Sequence, residues 1–128
     1  MTENTNFDPR LCDGMTLAYL GDSVMELYVR ERLVRSGITR AADLNSKAHE
    51  IVRATSQAKA FHKIEEMLTE EELDYFRRGR NSGHLSAPRS ATISEYRTAT
   101  GFESVLGYLY LSGCEQRISE LLFAAYGI

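Results

Sequence analysis

From Gly14 onward, apolar residues recur every three or four positions almost without interruption, and no stretch alternates polar and apolar long enough to predict a strand. The first helix is expected to start at Asp13 or Gly14, with Asp13 as N-cap, and to run to Arg35, with Gly37 as the punctuation beyond its C-terminus. Leu17, Leu20, Val24, Leu27 and Glu31 follow one row of this helix, and Met25, Val29 and Leu33 widen the apolar surface beyond a single stripe. A helix of this kind is covered on two sides, either centrally in a domain or at a subunit contact.

Two amphipathic helices rich in Ala, Lys and Glu follow, over 41–54 and 56–68. The motif T-x-x-E formed by Thr69 and Glu72 is a capping box, which predicts a fourth helix over 70–80 with acids in its first turn and Arg77, Arg78 and Arg80 at its end, as the helix dipole favours. Residues 79–94 contain Gly79, Gly83, Pro88 and, ahead of Ser94, the serines Ser82, Ser86 and Ser90, and read as a loop. A fifth helix is expected from about Ser94 to Leu111 and a sixth over 115–125, after the break at Gly113. The pattern predicts an all-α domain of about six helices.

A length of 128 residues with 43% hydrophobic content suits one compact domain over 1–128. The polar opening carries no basic stretch leading into an apolar run, and the longest apolar stretches, such as 105–111, are far too short to span a bilayer, so a soluble, cytoplasmic protein with no membrane partner is expected. Cys12 and Cys114 lie at opposite ends of the chain without C-x-x-C pairing and read as reduced thiols. The net charge of -3 argues against nucleic-acid binding by bulk charge. Its distribution changes that picture, because residues 77–97 hold five arginines against the single acid Glu95, a local +4 on a remainder of -7.

Asp22, Glu26 and Arg30 form a polar row at i, i+4 and i+8 inside the first helix. An exposed ion-pair ladder accounts for that spacing. The adjacent Gly21 points elsewhere, since glycine inside a helix costs about 1 kcal/mol relative to Ala and often marks the close approach of another element. In the fifth helix Glu103 is the only acid between Glu95 and Glu115, and its neighbours one turn away, Ala99, Thr100 and Gly107, are small enough to leave an open notch. Alone, it reads as a solvated glutamate. Together, an acid near a helix glycine in each of two central helices suggests paired carboxylates for a hard divalent cation such as Mg2+.

The stretch L-A-Y-L-G-D-S-V-M-E-L over residues 17–27 resembles the signature helix of ribonuclease III domains, and G-F-E-S-V-L-G-Y-L-Y-L over 101–111 resembles the second acidic helix of that family. The likeness spans nearly the whole chain and leaves no room for the double-stranded RNA-binding domain that usually follows, which points to the Mini-III branch, built from the catalytic domain alone. The segment from Phe76 to Ser82 and on through Tyr96 and Arg97 is similar to that branch as well. Where the larger enzymes carry further carboxylates, seven and four positions before the aspartate and three before the glutamate, this chain has Met15, Ala18 and Thr100, so Asp22 and Glu103 are the two that match.

The resemblance implies a homodimeric, Mg2+-dependent endonuclease for double-stranded RNA that leaves 5'-phosphate and 3'-hydroxyl ends, with Asp22 and Glu103 as catalytic metal ligands. Its implied substrate is the stem that pairs the ends of the 23S ribosomal RNA precursor, with a ribosomal protein or the preribosomal particle as candidate presenter. Leu20 and Val24 of the signature helix become candidates for the dimer contact. Arg77, Arg78, Arg80, Asn81, Ser82, His84 and Arg89 supply the groups suited to phosphates and 2'-hydroxyls of A-form RNA. The competing reading is a non-catalytic RNA-binding module of the same fold, favoured by Met15, Ala18 and Thr100. A helical metal phosphohydrolase would call for a His-Asp dipeptide, which the chain lacks.

Overall fold

The computed structural model describes residues 2–82 and 90–128. After a 3-10 turn at Pro9–Leu11 come α1 (Gly14–Arg35), α2 (Ala41–Val52), α3 (Ala54–Ile64), a second 3-10 turn at Glu65–Met67, α4 (Glu70–Arg80), α5 (Ile93–Leu111) and α6 (Glu115–Tyr126). No strand occurs among the described residues. The all-α class and six helices therefore agree with the periodicity.

Local side-chain capping accounts for three of the six α-helix starts among the described residues, those of α1, α4 and α5. Asp13 caps α1 by accepting from the Thr16 amide at 2.8 Å. Both members of the Thr69–Glu72 capping box are made, at 3.1 and 2.9 Å. A second capping box, Thr92 with Glu95, starts α5 one residue earlier than Ser94. The boundary between the second and third helices differs from the expected one. Arg53 adopts an extended ψ of 153°, so α2 stops at Val52 instead of Ala54 and α3 begins at Ala54 instead of Ser56. α3 also tightens into the 3-10 turn after Ile64 and does not stay α-helical to Leu68.

The central element is α5, which is buried along most of its length from Ala99 to Leu109 and packs against α1, α4 and α3. Its approach to α1 is backbone-close. A methyl group on Gly21 would overlap the Glu103 carbonyl oxygen, and one on Gly107 would overlap the carbonyl oxygen of Leu17. The mid-helix Gly21 is thus explained by the close approach of α5. On the other side of α5, Phe61 stacks on Phe76 with ring centroids 4.1 Å apart and meets Phe102 at 5.8 Å, which ties α3 and α4 to α5.

In α1, Leu17, Met25 and Val29 are fully buried, but Leu27, read from the pattern as part of the apolar row, is 63% exposed. The core is reached through the row containing Met25 and Val29, which rotates Leu27 outward with Tyr19 (84%) and Val34 (61%). Val24, a candidate for a subunit contact, is instead packed in the core of this chain. A polar anchor ties α6 to the start of α4: Arg117 of α6 donates to both oxygens of Glu72, at 2.8 and 2.9 Å, and to the Met67 carbonyl at 2.9 Å.

Candidate active site

Asp22 and Glu103 come from the two helices that cross at Gly21 and Gly107, and both line a cleft of about 360 Å³. Because Gly21 precedes Asp22 and is in contact with the Glu103 backbone, the close crossing itself sets the two carboxylates beside each other. Met15, Ala18, Ala99 and Thr100 line the same cleft and keep it open above the acids. The notch expected around Glu103 is present, and the side chain lies half-buried in it.

The pair is electrostatically coupled. Burial and the neighbouring negative charge of Asp22 push the Glu103 carboxyl up to about 8. A hydrogen bond from Gln57 works against that rise, while one to Asp22, which only the protonated Glu103 can donate, reinforces it. Among the described residues, no lysine or arginine lines the cleft beside the two acids, and neither does histidine or cysteine. Among the described residues, no group of three or more His, Cys, Asp and Glu side chains converges as a metal site.

The remaining members of the polar row on α1 behave as an ordinary ladder, with Arg30 and Glu26 paired at 2.8 Å. Asp22 stands above this pair, turned toward Glu103 in the cleft.

Gln57 was not singled out by sequence reasoning. It is 3% exposed on α3, and its Nε2 donates to Glu103 Oε2 at 3.2 Å and to the Val52 carbonyl at 2.7 Å. The available signal was its position: Gln57 shares the i, i+4, i+7 stripe with Phe61 and Ile64, where a polar side chain requires a partner.

The basic segment divides by environment. Arg77, Arg80 and Asn81 are exposed at the end of α4. Ser82 is half-buried, and its hydroxyl donates to the Gly79 carbonyl at 2.6 Å. Arg78 is turned inward: it donates to the Arg10 carbonyl at 2.6 Å, pairs with Asp74 at 3.1 Å and covers the Tyr75 ring at 4.5 Å. Arg77 and Asn81 line a shallow depression shared with Gly14, while the next residue, Met15, lines the acidic cleft, so the two surfaces meet at the first turn of α1. His84 and Arg89 lie outside the described residues.

The family described as Ribonuclease III domain matches residues 15–113. The Mini-ribonuclease 3 of Symbiobacterium thermophilum is 48% identical over 118 residues, covering 92% of this chain and 91% of that protein. The Mini-ribonuclease 3 of Brevibacillus brevis is 40% identical over 126 residues, covering 98% and 94%. A crystal structure of a Fusobacterium nucleatum protein superposes with a TM-score of 0.81 at 32% identity, over 91% of this chain and 94% of that one. The fold, the paired acids and these relatives converge: this chain belongs to the ribonuclease III family, in its Mini-ribonuclease 3 branch.

Proposed function

We propose that this protein is a Mg2+-dependent endoribonuclease that cleaves double-stranded RNA as a homodimer and matures the ends of 23S ribosomal RNA precursors in the cytoplasm. Membership of the family supports an endoribonuclease of the ribonuclease III type. The observation that carries the reading is the pairing of Asp22 and Glu103, about eighty residues apart in sequence, in one open cleft at the α1–α5 crossing.

The donor set suits the metal. Two carboxylates give hard oxygen ligands to an ion that keeps several of its own waters, and the raised Glu103 carboxyl is a group whose ionised form a nearby cation stabilises. When bound, Mg2+ supplies Lewis-acid chemistry, acidifying water and offsetting charge on the scissile phosphate. The chain's own part is to hold the ion with Asp22 and Glu103 and to keep the cleft wide enough for a phosphodiester. No side-chain nucleophile is required; among the described residues, no histidine lines the cleft to activate Ser23, next to Asp22.

RNA affinity is assigned to Arg77, Arg80, Asn81 and Ser82, together with His84, Arg89 and the cationic Arg78. The homodimer reading rests on Tyr19, Leu27 and Val34, three exposed apolar side chains on the helix that carries Asp22. A duplex with two strands to cut suits a pair of such sites, and the long stem of a 23S precursor is a duplex of that kind. A ribosomal protein or the preribosomal particle is the proposed presenter of that stem.

Met15, Ala18 and Thr100 in the cleft favour one other reading, an RNA-binding module without activity. Incubation of the purified protein with long double-stranded RNA separates the two. Cleavage to 5'-phosphate ends in Mg2+, absent in EDTA and in Asp22→Asn, is the expected result. Duplex binding without cleavage in Mg2+ would leave only the module. For the substrate, a deletion strain is expected to accumulate 23S precursors with extended ends.

A further inference from the structure

Gln57 belongs to neither the sequence signature nor the acid pair, yet it is the only buried side chain among the described residues with an unpartnered polar atom, its Oε1. The orientation of its amide is fixed by chemistry. Both neighbours within hydrogen-bond reach, the Val52 carbonyl and Glu103 Oε2, are acceptors, so the NH2 group must face them and the oxygen must face away. A buried acceptor left without a donor costs about 1–3 kcal/mol, and that cost calls for an explanation.

The local backbone explains how Gln57 comes to be held there. The extended conformation of Arg53 ends α2, and the carbonyls of a final helical turn lack intrahelical partners. Gln57, in the first turn of α3, takes the Val52 carbonyl with Nε2, and this anchors its amide at the break between the helices. The second hydrogen of the same nitrogen then reaches Glu103. A glutamate carboxyl on flexible torsions is thus tied at one oxygen to a rigid donor from another helix, and its other oxygen is left free of that tie.

Building on the metal-dependent reading above, we propose that Gln57 is a positioning residue of the carboxylate site. It holds Glu103 in the orientation that binds the divalent cation, and its Oε1 is kept at a cost to stability because the amide is needed for that bond. Gln57 acts through Glu103 and need not touch the reacting atoms.

The experiment uses the full-length protein and the isosteric change Gln57→Met, which removes both hydrogen bonds together with the unpartnered acceptor. Binding of Mn2+ to the RNA-free protein, read from the electron paramagnetic resonance of the free ion, is expected to weaken about five- to twentyfold. The Mg2+ concentration for half-maximal cleavage should rise by a similar factor, with KM for duplex RNA unchanged. The melting temperature should stay within about 3 °C of the parent, since loss of the Val52 bond is offset by removal of the orphaned oxygen. Mn2+ affinity and Mg2+ requirement equal to the parent's would overturn the proposal, as would a large loss of melting temperature without a change in metal affinity.

Should Gln57→Met not fold, the parent protein supplies the test. The side-chain amide signals of Gln57 in a nitrogen–proton correlation spectrum are expected to shift on addition of Mg2+, and signals that stay in place would overturn the assignment. A parent that cleaves RNA and binds Mn2+ while the variant matches it defeats this inference alone; a parent that does neither defeats the metal-dependent reading and this one with it.

Discussion

Gly21 and Gly107 face each other across the α1–α5 crossing so closely that a β-carbon on Gly21 would stand 3.0 Å from the Gly107 amide nitrogen, and one on Gly107 would stand 3.2 Å from that of Gly21. This contact brings the backbone of Glu103 against the residue that precedes Asp22, and it makes the acid pair a property of helix packing. Helix propensity alone would favour Gly21→Ala by about 1 kcal/mol. The overlap with the Glu103 carbonyl runs the other way, and overpacking against backbone typically costs about 1–3 kcal/mol. Gly21→Ala is therefore expected to be net destabilising by about 1–2 kcal/mol in urea unfolding and to lose most cleavage, because α1 must move away from α5 at the site itself.

The raised Glu103 carboxyl gives the metal-free protein a signed pH dependence. An acid that titrates at about 8 when folded, against 4.5 as a free side chain, binds more protons in the folded state throughout the interval between those values. Its contribution to stability is present below pH 4.5 and is lost as pH rises toward 8. In an open cleft the loss should be on the order of 2 kcal/mol. Glu103→Gln is expected to flatten this part of the stability profile, and chemical denaturation of both proteins at pH 5 and pH 8 in EDTA checks it.

Metal binding should carry the opposite consequence. A cation takes the ionised carboxyl, so Mg2+ binding near pH 7 is expected to release a proton from Glu103, and affinity should rise with pH up to about 8. Titration calorimetry in two buffers of different ionisation enthalpy measures the protons released; equal heats in both would mean that no proton leaves. Asp22→Asn is expected to weaken binding outright, since it removes one of the two charges.

Arg117 is placed to matter for stability and not for catalysis. Burial pushes Glu72 up, but the paired bonds from Arg117 and those within its capping box outweigh it, and the carboxyl is held below its usual range. Arg117→Met would leave that carboxylate buried without its cation, a change that costs about 3–5 kcal/mol. A large fall in melting temperature is expected, with cleavage per folded molecule unchanged at low temperature.

The arginines at the end of α4 should separate by role. Arg77→Ala with Arg80→Ala removes two exposed cations and is expected to weaken duplex binding, to reduce its salt slope by about one unit or less per lost phosphate contact, and to shift stability by no more than roughly 0.5 kcal/mol. Arg78→Ala should lower stability by about 1–2 kcal/mol, because it releases the Arg10 carbonyl and uncovers Tyr75. Duplex affinity at several salt concentrations, beside thermal melts of each variant, tests the division.

Features governed by local physics are legible along the chain. Three-four periodicity set the helices, Asp13 and the Thr69–Glu72 box set two of their starts, and Gly37, which adopts a φ of +96°, marked an end. Gly21 inside a helix announced a close approach, and the two acidic motifs were legible because their residues are adjacent in the chain. The remaining features depend on contacts between distant segments. Which face of α1 enters the core, and hence that Leu27 is exposed while Val24 is buried, followed from how α5 docks. Arg78 and Arg77 are neighbours of identical type, and the path of residues 10–12 across α4 turned one inward and left the other in solvent. Gln57 entered the site because an extended Arg53 placed the start of α3 beneath Glu103, 46 residues further along. Periodicity gives a helix its faces, but which partner each face meets is a global packing result, and the pairing of Asp22, Glu103 and Gln57 exists only after α1, α3 and α5 have met.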